Sequence, residues 1–148
     1  MTAVPSRAPA LGRRLASAVY EVVIVVAIAI IADLPFAILF GDLTQGWRRY
    51  ALQAWNVVVI GAYFVFAWTR SGQTLPMKTW RLRVVRWDGT PLTLGPAIHR
   101  YVLAWLGLLA LGAAFIWALF DRDRQFMHDR LAGTALVDAP APQRASAR

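Results

Sequence analysis

Residues 15–32 read LASAVYEVVIVVAIAIIA, and this run decides the class of fold. Eighteen residues at 1.5 Å rise make a helix about 27 Å long, close to the hydrocarbon thickness of a bilayer. At its centre the run VVIVVAIAII is uninterruptedly apolar. Arg13 and Arg14 precede the run, and Asp33 and Pro35 are expected to close it. The outline has something of a secretory signal. The apolar centre is too long for one, however, it holds Glu21, and two more apolar stretches follow, so an uncleaved membrane helix is expected.

The second stretch, residues 50–68, carries no charged side chain and is bracketed by Trp47 and Trp68, whose indoles suit the water–lipid boundary. The third, residues 101–120, is apolar throughout but contains Gly107 and Gly112. Composition agrees with a membrane reading. Of the 148 residues 58% are hydrophobic and 16% charged, against about 45–50% and about 25% in soluble domains. Sixteen Lys or Arg against eight Asp or Glu give a formal +8. A nucleic-acid binder reaches that charge without so much apolar surface, so no nucleic-acid partner is expected and the cations belong in loops.

Residues 1–12 and 138–148 are rich in Pro, Ala and Ser and read as disordered tails, which leaves 13–137 as one transmembrane domain. Residues 70–100 change character, with six Lys or Arg and one Asp. Within them, residues 80–87 predict a short strand closed by the turn dipeptide Asp88-Gly89, and Thr93 opens a helix with Pro96 in its first turn. A second strand-like piece lies at 133–137. Gly72-Gln73-Thr74 reads as an ordinary short turn. Lys78, Arg81, Arg83 and Arg86 are expected to meet anionic lipid headgroups, each contributing about 1 kcal/mol near the surface. The fold class is therefore an all-α membrane protein of two to four transmembrane or re-entrant helices with a small basic cytoplasmic strand and loop layer.

The charges bear on topology. If all three stretches cross once, the cations divide nine to seven between the two faces. If the third turns back, fourteen lie on one face and two on the other. The positive-inside rule favours the second arrangement, in the cytoplasmic (inner) membrane with both termini cytoplasmic. A shallow hairpin bent near Gly107 to Gly112 would achieve it, and would let the two strand candidates pair.

Glu21 lies within the first helix, seven residues beyond Arg14 and on the same face. Arg14 can extend to the headgroups. Glu21 needs a partner at membrane depth, because an isolated carboxylate in hydrocarbon is costly. Asn56, Arg100 and His99 are the candidates. No cysteine exists, so disulfides, thiolate nucleophiles and Cys-ligated metals are excluded. His99 and His128 show no ligand spacing, and His128-Asp129 has no nucleophile motif to complete a triad. No catalytic residue, metal or cofactor is expected, and the chain does not read as an enzyme.

Three blocks, GRRLASAVYE, SGQTLPMKTWRLRVVRWDGTPLTLGPAIHR and FDRDRQFMHDRLAGTALV, resemble the RDD family of small multi-pass bacterial membrane proteins over residues 12–137. The family is named for one arginine and two aspartates. The resemblance places the arginine on Arg14, the first aspartate on Glu21, where this chain is longer by one methylene, and the second on Asp129. Pro76 is a further departure, standing where relatives often have glycine. The resemblance implies a membrane protein of unestablished molecular function for which ligand transport has been suggested. With Arg14, Glu21, Asn56, Arg100 and Asp129 as the intramembrane polar set, transport of an ion or small ligand through a homo-oligomer is the first expectation. A non-transporting accessory or assembly subunit of a membrane complex is the alternative.

Overall fold

A computed structural model describes residues 9–41, 45–109 and 127–140. Helix α1 spans Leu11–Phe40 and α2 spans Gly46–Ser71. A short α3, Leu75–Thr79, leads into strand β1, Leu82–Arg86, followed by α4, Leu94–Leu109. A short α5, Met127–Leu131, and strand β2, Thr134–Asp138, complete the described chain. The fold is mostly helical, and α1 and α2 are long and apolar enough to cross a membrane.

Helix α1 runs past the expected stop at Asp33 and Pro35. Pro35 removes one backbone donor without ending the helix. The chain leaves the helix only at Gly41, whose positive φ of 65° suits glycine and whose N–H reaches the Ala37 carbonyl at 3.0 Å. Much of α1 shows apolar side chains outward, Val22, Val23, Ile30, Ile31 and Ile38 among them. Such a surface is foreign to water and natural to lipid. Trp47 is exposed, as a belt residue would be, but Trp68 is buried in the core against Phe64 and is no belt residue.

The packed core lies where the helices meet the strand layer, around Ile60, Trp68, Met77, Leu82, Val84 and Tyr101. Gly61 lets α4 approach α2 closely. A Cβ there would fall 2.9 Å from the Tyr101 ring, whose hydroxyl donates to the Val57 carbonyl at 2.8 Å. Gly72 does the same for β1. Its φ is 71°, an added Cβ would lie 2.8 Å from the Val84 carbonyl oxygen, and Val84 N–H donates to the Gly72 carbonyl at 2.8 Å. Gln73 Nε2 adds a bond to the Leu82 carbonyl at 2.7 Å. The Gly72-Gln73-Thr74 turn, ordinary in sequence, is thus the joint between membrane helix and strand.

Both strand expectations correspond to strands, β1 inside 80–87 and β2 one residue later than 133–137. They pair antiparallel, Val84 opposite Leu136 and Arg86 opposite Thr134. Leu11 and Gly12, expected in a tail, belong to α1, and Asp138 belongs to β2. Gly107 sits inside regular α4, so no bend begins there. Gly112 and the rest of the expected turn lie outside the described residues.

Paired strands occupy one side of a bilayer. Reporters inserted at the Asp88-Gly89 turn and fused after Arg148 are therefore expected to signal from the same face in a protease-protection or alkaline-phosphatase assay. Opposite readings would contradict the pairing.

Candidate functional site

The α1 residue Glu21 and the turn before α3 form the first polar group. Tyr63 on α2 donates its hydroxyl to Glu21 Oε1 at 2.9 Å, and the Thr74 hydroxyl donates to Oε2 at 2.5 Å. Thr74 is fully buried and also caps α3, accepting from Met77 N–H at 3.4 Å. Pro76, in the first turn of that helix, costs nothing there because its missing N–H would have had no helical partner. The side chain of Glu21 therefore joins α1 to α2 and α3 through two neutral hydroxyls.

None of the partners expected for Glu21 supplies these bonds. Asn56 instead donates from Nδ2 to Asp33 Oδ1 at 2.8 Å. Antiparallel packing of α1 and α2 sets Asn56 opposite Asp33, two turns from Tyr63. Arg100 belongs to a second group, and His99 is exposed.

The second group is charged. Arg100 on α4 is buried, forms an ion pair and hydrogen bond with fully buried Asp129 on α5, and donates to Thr134 Oγ1 on β2 at 2.9 Å. Its guanidinium lies 4.9 Å from the centre of the Trp68 ring on α2, a cation–π contact. Arg14 is also buried, near enough to Arg100 for the two cations to repel. It does not extend to the headgroups as expected. The structure thus pairs Arg100 with Asp129 and buries Arg14, while Glu21 and Asn56 take other partners.

The exposed rim carries Lys78, Arg81 and Arg86, available to headgroups as expected, whereas Arg83 is half-buried over Gly72. Arg86 lies 3.9 Å from Asp88. The Thr90 hydroxyl and N–H hold the Asp88 carboxyl below its ordinary range, with the Arg86 charge adding a smaller pull. Arg81 adopts a positive φ of 52°, which frees its carbonyl for two donors: Ala139 N–H at 2.9 Å and Arg13 Nη2 at 3.0 Å. Arg13 also bonds the Trp80 carbonyl and pairs with Asp138 at 2.5 Å.

Sequence reasoning missed Arg13, Tyr63, Thr74 and Thr134. A phenol and a hydroxyl inside or beside an apolar run were the available signal for Tyr63 and Thr74. Nothing in the sequence marked Arg13 for a bonding role.

Two apolar helices capped by a basic strand layer with buried charges define a small α-helical membrane protein. The chain belongs to the RDD family, a membrane-associated family whose model matches residues 8–133. It is similar to an uncharacterized protein of Rickettsia prowazekii (strain Madrid E), with 30% identity over 84 residues, 57% of this chain. Those residues cover 47% of that protein, so this chain spans about half the length of the relative it matches. No solved structure matches it.

Removing one member of a buried ion pair costs about 3–5 kcal/mol, because the other charge is left uncompensated. Asp129→Leu or Arg100→Met alone is therefore expected to lower the thermal midpoint in detergent sharply. The double substitution should recover much of the loss, and a simply additive double would contradict the pairing.

Proposed function

We propose that this membrane protein moves a proton or small cation across the bilayer as an oligomer, with Glu21 as the group that accepts it. The observation that carries the reading is the environment of Glu21. Its carboxylate lies inside a membrane helix and is held by two hydroxyls, and among the described residues no cation pairs with it. A hydroxyl donates to a charged carboxylate and can accept from a neutral one, so Tyr63 and Thr74 tolerate both states of the acid. Carboxylate and hydroxyl oxygens are also the donors that hard cations take. An intramembrane acid with such partners suits loading and release rather than permanent pairing.

One copy encloses little pathway, since α1 turns much of its apolar surface outward, and an oligomer supplies the missing wall. The strand pairing, together with the fourteen-to-two division of cations that a returning third stretch would give, favours a cytoplasmic strand layer in the inner membrane, both termini on that side. The exposed Lys78, Arg81 and Arg86 favour a second reading, an accessory subunit that docks this basic face on anionic lipid or a membrane partner.

The test is reconstitution into liposomes carrying a pH-sensitive dye, under imposed H⁺, Na⁺ and K⁺ gradients. Wild type is expected to give flux under one gradient and Glu21→Gln, folded equally well, to lose it. Absence of wild-type flux under every gradient would leave the accessory role.

A further inference from the structure

Helix α2 carries polar residues at a seven-residue spacing: Arg49, Asn56, Tyr63 and Arg70. Seven residues are nearly two turns, so the four form one stripe at intervals of about 10.5 Å along the axis. The two inner members each meet a carboxylate of α1, Tyr63 with Glu21 at 2.9 Å and Asn56 with Asp33 at 2.8 Å. The ends of α1 mirror each other around these two acids. Glu21 is seven residues from Arg14 at one end, and Asp33 is seven residues from Phe40 at the other, where the Phe40 carbonyl accepts from Arg48 Nη1 at 2.9 Å. Each acid thus lies about 10.5 Å along the helix from a place held by a cation.

Twelve residues, about 18 Å of helix, separate the acids. Every α1 side chain between them from 22 to 32 is apolar, as is every α2 side chain from 57 to 62. The two carboxylates are therefore separate sites at opposite ends of one helix pair, divided by an apolar stretch.

The Asp33 site has an unused acceptor. Among the described residues Asn56 Oδ1 is buried without a hydrogen-bond partner, and a buried polar atom of that kind calls for an explanation. A carboxamide carries both donor and acceptor. It serves Asp33 Oδ1 through Nδ2, as observed, and after a half-turn it presents Oδ1 to an acid O–H or to a cation beside the Asp33 side chain. Trp55 Nε1, donating to the Ala32 carbonyl at 3.1 Å, fixes the adjacent turn of α2 against α1.

We propose that Asp33 and Asn56 form a second ion station, taking a proton or a small hard cation, and that it opens to the membrane face opposite the one reached from Glu21. Its transport role rests on the reading of Glu21 above, but its location is testable without flux.

The absence of native cysteine makes introduced thiols unambiguous reporters. Glu21→Cys and Asp33→Cys are each treated with a membrane-impermeant maleimide in right-side-out and inverted vesicles, after gel filtration confirms folding. Asn56→Cys reports on the same station if Asp33→Cys does not fold. Glu21→Cys is expected to label only from the strand-layer face, and the Asp33 or Asn56 thiol only from the face of Arg48 and Arg49. Labelling of both from one face, or of the Asp33 station from neither, overturns the proposal. In liposomes under separate pH and Na⁺ gradients, Asp33→Asn is expected to cut flux about tenfold, as loss of a functional intramembrane acid would. Wild-type flux in folded Asp33→Asn overturns the station. A wild type with no flux overturns the transport reading and leaves the labelling result standing.

Discussion

A carboxylate at membrane depth has to be met by hydrogen-bond donors or by a counter-charge, and the arrangement of this protein follows from how Glu21 meets that demand. Tyr63 reaches it from α2 and Thr74 from the turn that begins α3. Thr74 also caps α3, while its neighbours Gly72 and Gln73 bond to β1. One acid therefore couples the membrane helices to the strand layer through three consecutive residues, Gly72, Gln73 and Thr74. A change in its charge is felt first at a turn that already carries a glycine in a conformation closed to other residues.

The second organising contact is the Arg100 and Asp129 pair. It draws α4, α5 and β2 together, with Trp68 of α2 against the guanidinium. A buried ion pair of this kind contributes less to stability than its Coulomb attraction implies, because both charges have left water. It does fix which elements meet, since neither charge is tolerated there alone. Arg14 is a further buried cation.

Helices α1 and α2 were legible because their apolar runs match bilayer thickness, and the strands because Leu82, Val84 and Leu136 stand among turn residues. Pairing between the strands was legible from charge counting, a global property that no single segment shows. The partners of Glu21 were not. Side-chain partners across helices depend on axial stagger and rotation, which hydropathy leaves open, so Asn56 was matched to the wrong acid. The extent of α1 was misjudged for a related reason. Pro35 weakens a helix locally, but residues 36–40 remain apolar and helical, and Gly41 supplies the actual exit.

In the proposed mechanism Glu21 takes up and releases its proton or cation within the membrane while Tyr63 and Thr74 remain its partners. Infrared difference spectroscopy of the protein in lipid nanodiscs, recorded between media of different pH and sodium content, tests it most directly. The expected spectrum has a carboxyl band that appears and disappears with the medium and is missing from Glu21→Gln. A spectrum that stays constant across every exchange, or a changing band that survives in Glu21→Gln, would contradict it.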